Sequence, residues 1–385
     1  MREQVFDNQR SWIEIDLQSL KYNVQQILTQ LQSKDQLMAV VKSDAYGHGA
    51  VKISQELNKM GIYSFAVATL SEGIELRKNG VIGQILILGY TDPCYARIIQ
   101  EYDLTQTVID YQYALSLQQQ NIPICVHIAL DTGMHRLGEM THNLSQIKNI
   151  FQFSSLHITG MFSHLCVCDE TTNESQSYTL SQIQYFCHTV SQLKKEGYNV
   201  GKVHLLSSYG FIYYPHYQLD YVRMGILLYG VDSSFPKQMK LSLKPVLSLK
   251  SKIALIKKVS QNQTIGYGRT YTTTQCMKIA VVPIGYADGL PRSLSNVGKV
   301  IVKGQFVPIV GRICMDQMMI DVTHIHHVER GDIVTIIGED HVYQGVETIA
   351  KQSCTISNEI LSQLGFRLPK IYINEMQNIT KIKSI

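Results

Sequence analysis

Eight short apolar runs, spaced through the first 230 residues, constrain this chain more than any other feature. They lie at 37–41, 65–68, 85–88, 106–109, 125–130, 158–163, 202–206 and 221–224. Most are rich in Val, Ile and Leu without polar alternation, the pattern of strands buried on both faces. Amphipathic stretches separate most of them, at 51–60, 71–78, 93–102, 144–151 and 182–195. Eight such strands alternating with helices predict an α/β fold with an N-terminal (β/α)8 barrel. The competing fold is a doubly wound open sheet. It is disfavoured because no Gly-x-Gly-x-x-Gly turn follows an early run.

After Tyr229 the texture changes. Strand-like runs at 246–259, 279–284, 299–302, 306–310, 318–322 and 333–337 follow one another with little helix between them. A short helix is expected at 356–363 and a last strand at 370–374. The reading is a barrel over residues 1–240 followed by a mostly β C-terminal domain over 241–385. A chain of 385 residues suits two domains.

Composition narrows the partners. The net charge is only +4 and basic residues form no block, which disfavours nucleic acid. No apolar run approaches the ~18 residues of a membrane span. The segment 1–10 lacks the apolar core of a signal peptide. Eight scattered cysteines read as reduced thiols. The expectation is a soluble cytoplasmic protein without nucleic-acid or membrane partners.

Barrel sites form where strands end at their C-terminal side. Lys42 ends the first run, Asp131 to Arg136 follow the fifth, and His164 follows the sixth. Ser207 and Ser208 follow the seventh, and Arg223 and Gly225 fall at the eighth. A lysine ending an apolar strand is either a snorkelling surface group or a desolvated amine suited to bonding an aldehyde. Position alone favours the first. The loops after strands seven and eight shift the balance. They are the usual phosphate site of such barrels, and here they offer Ser207, Ser208 and the stretch Gly225-Ile226. A lysine at strand one with phosphate loops at seven and eight is what pyridoxal 5'-phosphate needs. The run from His164 to Asp169 alternates ligand types, but no second Cys/His pair completes a zinc site. No metal is expected.

At these residues the chain resembles the alanine racemase family. The stretch from Ala39 to Gly49 resembles the family's cofactor-lysine motif. Supporting matches are Asp131-Thr132-Gly133-Met134 with Arg136, Arg223 with Gly225, and Gly266-Tyr267-Gly268. Gly285-Tyr286-Ala287-Asp288-Gly289 and Gly311-Arg312-Ile313-Cys314-Met315-Asp316 complete them. The resemblance runs nearly the whole length, in order. It implies a barrel followed by a β domain, a small amino-acid substrate, and a homodimer with shared sites.

Residue by residue, the resemblance implies that Lys42 holds the cofactor and serves as base on the face used by D-substrate. Tyr267 would be the opposite base, reaching a partner's barrel. Arg223 would bond the pyridine nitrogen and keep it unprotonated. His164 would border the ring and connect Arg223 towards Tyr267. Tyr46, Ser207, Ser208, Gly225 and Ile226 would hold the phosphate. Arg136 and the N–H of Met315, with Asp316 beside it, would position substrate, and Tyr286 would line the entrance.

Three positions depart from the family pattern. Ala129 stands where the family often has a carboxylated lysine that supports Arg136. Ser207-Ser208 replaces an Asn-Ser pair. Asn358 replaces a tyrosine that crowds the substrate side chain, as in the serine racemases associated with vancomycin resistance. The expectation is therefore a racemase of alanine that also acts on serine. An enzyme primarily for serine is the near alternative, and a decarboxylase of the same two-domain plan the farther one. A non-catalytic cofactor-binding protein, which resembles the barrel alone, is disfavoured by the β domain with Tyr267, Met315 and Asp316, and a binding or structural protein with a dead site by Lys42, Tyr267 and Arg223.

Overall fold

The computed structural model describes residues 9–232 and 241–373. The described residues form two compact units. One takes Val24–Leu228 together with Leu241 and Ser242. The other takes the residues up to Asn23, those from Tyr229 to 232, and those from Leu243 onward.

In the first unit all eight apolar runs become strands of one closed parallel sheet. In spatial order the strands are Thr105–Val108, Gln84–Ile87, Ser64–Val67, Leu37–Val40, Tyr221–Met224, Lys202–Ser207, Leu156–Phe162 and Ile124–Asp131. The last pairs back onto the first and closes the barrel. Leu37–Val40 is buried at every position, which is why this run carries no polar alternation. The outer helices pack by helical spacing. Asn173–Lys195 buries Ile183, Phe186, Val190 and Leu193, one stripe at three- and four-residue intervals. Helix Leu70–Lys78 starts on a capping box: Thr69 Oγ1 accepts from Glu72 N at 3.3 Å, and Glu72 Oε2 accepts from Thr69 N at 3.2 Å.

The second unit is mostly β. A six-strand path runs Gln305–Pro308, Lys299–Val302, Ile333–Asp340, Leu247–Lys252, Ser11–Asp16 and Lys370–Ile373. The N-terminal strand Ser11–Asp16 thus belongs to the β unit's sheet. It pairs antiparallel with Leu247–Lys252 and parallel with Lys370–Ile373. A three-stranded sheet adds Leu255–Val259, Met277–Val282 and Met318–Asp321. The single run read at 246–259 is two strands. The chain changes sheets where Ile253 N bonds Asp332 O and Ala254 N bonds Val281 O. The helix near 356–363 forms as Ser357–Ser362. Residue 374 of the expected last strand lies outside the described residues.

Candidate active site

Lys42 sits at the end of the first barrel strand and opens an unusual turn. Ser43, Asp44, Ala45 and Tyr46 all have φ of 52–53°, a left-handed helical turn built without glycine. Such a turn costs on the order of 1 kcal/mol per residue. Specific bonds offset it. Asp44 Oδ1 accepts from Ala50 N at 2.7 Å, Asp44 O from Gly49 N at 2.9 Å, and Glu72 Oε1 from Ser43 N at 2.7 Å. Glu72 therefore joins its own helix cap to the lysine turn, a role not read from the sequence. Burial lowers the pKa of Lys42, and the positive charges of Arg136 and Arg223 lower it further against the opposing pull of Glu72. A larger share of the amine is then free base, the nucleophilic form.

Arg223 is buried at the end of the eighth strand. Its Nη2 donates to Ser163 O at 2.7 Å, to Leu205 O at 2.8 Å and to Nδ1 of His164 at 3.2 Å. Its Nη1 donates to Nδ1 of His204 at 2.7 Å, and its Cζ lies over Phe162, 5.2 Å from the ring centre. Among the described residues nothing accepts from its Nε–H. Burial and Arg136 push its pKa down to about 9, which leaves it charged at neutral pH. Because arginine has no acceptor, Nδ1 of His164 must be unprotonated and its proton lies on Nε2. Burial, then Arg223, Arg136 and Lys42, depress His164 to about 3.

At the ends of the first, seventh and eighth barrel strands, Tyr46, Ser208 and Gly225 meet. Ser208 Oγ accepts from Gly225 N at 3.1 Å, which leaves its own proton to donate elsewhere. A β-carbon on Gly225 would stand 2.8 Å from the Tyr46 hydroxyl, so a larger residue there would push the tyrosine's hydroxyl aside. Burial, then Tyr209, raises Tyr46 to about 12, keeping it a phenol donor. Ser207 precedes the helix Ser208–Tyr213, and Ile226 opens the turn Ile226–Tyr229. Hydroxyls and backbone around a glycine-sized cradle fit a phosphate. The lysine amine and the unengaged Nε–H of Arg223 suit the aldehyde and ring nitrogen of pyridoxal phosphate.

Arg136 is exposed, and Ala129 is buried. In this chain by itself the guanidinium therefore incurs no cost of unpaired burial. Asp131 instead binds its own loop, accepting from Gly133 N at 2.8 Å and His135 N at 3.1 Å. In the run after His164, burial pushes the Cys168 thiol to about 12 and raises that of Cys166, which donates to Gln182 Oε1.

The β unit carries the other predicted residues. Tyr267 projects from a turn between the paired segments Thr264–Ile265 and Tyr271–Thr272 and is 69% exposed. Ile265 and Tyr271 anchor the turn in a cluster with Met277, Ile279 and Val310. Gly266 and Gly268 have φ of 73° and 69°, and a β-carbon on Gly268 would meet Arg312 Nη1 at 2.7 Å. Tyr286 and Met315 are held together. Ala287 N donates to Met315 O at 3.0 Å, and a β-carbon on Gly285 would collide with the carbonyls of Cys314 and Met315. Both side chains are exposed. Asp316 accepts from Arg367 Nη2 at 2.7 Å. Asn358 is half-buried on helix Ser357–Ser362, and among the described residues its side-chain amide makes no hydrogen bond.

Comparison with known proteins gives one answer in both halves. Residues 15–233 match the family model "Alanine racemase, N-terminal domain", and residues 246–372 match "Alanine racemase, C-terminal domain". "Alanine racemase 1" of Clostridium acetobutylicum is 39% identical over 381 residues, covering 97% of each chain. An "Amino-acid racemase" of Enterococcus faecalis is 40% identical over 366 residues, and the "Serine/alanine racemase" of Enterococcus gallinarum is 40% identical over 353. The chain spans about half the length of these two enterococcal proteins, 51% and 50%. Among solved structures, alanine racemase of Clostridium difficile 630 superposes with a TM-score of 0.88 at 35% identity, covering 95% of this chain and 96% of that one. Alanine racemase of Bartonella henselae with covalently bound pyridoxal phosphate gives 0.83 at 29%, covering 95% and 100%.

Proposed function

This chain belongs to the alanine racemase family, and from that premise we propose that it interconverts L- and D-alanine with pyridoxal phosphate and also acts on serine. The observation that carries the reading is one rim of the barrel. There a desolvated Lys42 shares a site with the Tyr46, Ser208 and Gly225 cradle and with buried Arg223.

Pyridoxal phosphate, when bound, supplies an electron-withdrawing ring that acidifies the substrate α-proton. Lys42 Nζ would hold it covalently and, once displaced by the substrate amine, move a proton on one face. Tyr267 would move a proton on the other. Arg223 would direct its Nε–H to the ring nitrogen, and a guanidinium cannot release its proton there. His164 would offer Nε2–H while its Nδ1 stays committed to Arg223. Tyr46, Ser207, Ser208 and the N–H groups at Gly225 and Ile226 would hold the phosphate. Arg136, Met315 and Asp316 would position substrate, with Tyr286 at the entrance. The exposure of Tyr267, Tyr286 and Met315 suits a homodimer in which one copy's β unit completes the partner's barrel.

Asn358 supports the serine activity. A half-buried amide without a protein partner can both donate to and accept from a substrate hydroxyl. The decarboxylase alternative needs a glycine-rich phosphate loop, and this chain contains no Gly-Gly pair. The test is to incubate purified protein and pyridoxal phosphate with L-alanine and with L-serine and to resolve the enantiomers. Both D-forms are expected. Release of carbon dioxide from a basic amino acid, without racemisation, would replace this reading by decarboxylation.

A further inference from the structure

Behind Arg223 a line of polar side chains runs down the inside of the barrel unit. Nη1 of Arg223 lies 2.7 Å from Nδ1 of His204, and Nε2 of His204 lies 2.9 Å from Nδ1 of His127. Nε2 of His127 lies 3.0 Å from Nε2 of Gln84, whose Oε1 lies 3.1 Å from the Tyr221 hydroxyl. Both imidazoles have no solvent exposure. The ring of His204 stacks on Phe162, its centre 4.9 Å away at 9°, and a β-carbon on Gly160 would stand 2.7 Å from the His127 ring. The space is shaped for two histidines.

Counting protons along this line fixes its direction. Arginine only donates, so Nδ1 of His204 accepts and its proton lies on Nε2. That proton is donated to Nδ1 of His127, so His127 also carries its proton on Nε2. This N–H meets Gln84 and needs an acceptor, yet the amide nitrogen faces it. In the opposite direction Gln84 would donate, and the line would end with two N–H groups facing each other at Arg223. A doubly protonated imidazole at either place creates the same conflict. Only the amide can adapt, because a half-turn exchanges its oxygen and nitrogen without changing its shape. The Tyr221 hydroxyl serves either end, as donor or acceptor.

We propose that Gln84 is a positioning residue for Arg223, acting through His127 and His204 with its carboxamide oxygen turned to His127 and its nitrogen to Tyr221. Each bond in such a chain strengthens the next acceptor, so the amide oxygen holds both tautomers and sharpens the grip of His204 on the guanidinium. The proposal rests on the reading that Arg223 faces the ring nitrogen of the cofactor.

The test starts with the wild-type holoenzyme labelled with 15N-histidine. Long-range 1H–15N spectra should show His127 and His204 with protonated Nε2 and bare Nδ1. A protonated Nδ1 on either ring overturns the proposal, whether or not the protein racemises anything. Gln84→Glu keeps an acceptor and should retain both tautomers, with kcat within about threefold of wild type. Gln84→Met removes the acceptor. It should mix the His127 tautomers and lower kcat about tenfold with KM within about twofold, as supporting partners of this kind do. Unchanged tautomers and kcat in Gln84→Met overturn the positioning role. If that variant does not fold, the wild-type spectrum and Gln84→Glu decide, and loss of the Nε2–H tautomers in Gln84→Glu overturns the proposal as well.

Discussion

Two imidazoles meet inside the barrel: Nδ1 of His127 lies 2.9 Å from Nε2 of His204, and neither ring is reached by solvent. Burial, then Arg223, lowers His127 to about 3 and His204 well below its ordinary value. The unfolded chain protonates both near pH ~6.5. Their contribution is therefore complete above that pH and is lost as pH falls towards the folded values. Each ring removes about 1.4 kcal/mol of stability per pH unit in that window. Urea unfolding between about pH 7.5 and 5.5, above the carboxylate range, should show the midpoint falling on the acid side. A flat profile there would mean that both rings, and His164 with them, take up protons in the folded protein as readily as in the unfolded chain.

Lys42 should be the residue bound to the cofactor. Its amine is desolvated and lies among the positive charges of Arg136 and Arg223, which favours the uncharged nucleophile. Borohydride reduction of the holoenzyme should fix the pyridoxyl label on the peptide carrying Lys42. A label on another lysine would remove Lys42 from the mechanism.

Tyr267 and Lys42 should serve opposite faces of the substrate. Tyr267→Phe should reduce α-proton exchange from L-alanine by about 100-fold or more, the usual scale for losing a general base. Exchange from D-alanine should persist at least in part. Equal losses from both enantiomers would contradict the division of faces.

Complete sites should require two copies. Tyr267 and Met315 are exposed on the β unit, whereas Lys42 belongs to the barrel unit. Mixing a Lys42→Ala chain with a Tyr267→Phe chain should recover activity, since each heterodimer gains one site carrying both bases. Subunit exchange shown by mass, with no recovered activity, would place both bases within one copy.

Asn358 should select for serine. A hydroxyl in a dry pocket without a partner costs roughly 1–3 kcal/mol, or about one to two decades in kcat/KM. Asn358→Tyr should therefore lower serine racemisation by about tenfold or more relative to alanine. Parallel changes in the two activities would show that Asn358 does not touch the substrate side chain.

The barrel strands were legible in the sequence because parallel strands buried on both faces leave short runs rich in Val, Ile and Leu. Leu37–Val40 is buried throughout, and Lys42 stands out because it follows such a run. Tyr267 was legible through its Gly-Tyr-Gly setting, where the backbone needs positive φ on either side. Local pattern could not join Ser11–Asp16 to strands more than 200 residues away, since strand pairing is a long-range choice. Nor could it show the left-handed turn after Lys42, which uses four residues that individually avoid that conformation and is held by Glu72 from another element. The line from Arg223 through His204 and His127 to Gln84 is the clearest case. Each residue sits in a strand as an isolated polar interruption. Barrel closure alone brings them into hydrogen-bonding range, and the donor that cannot reverse then sets the protons of all the rest.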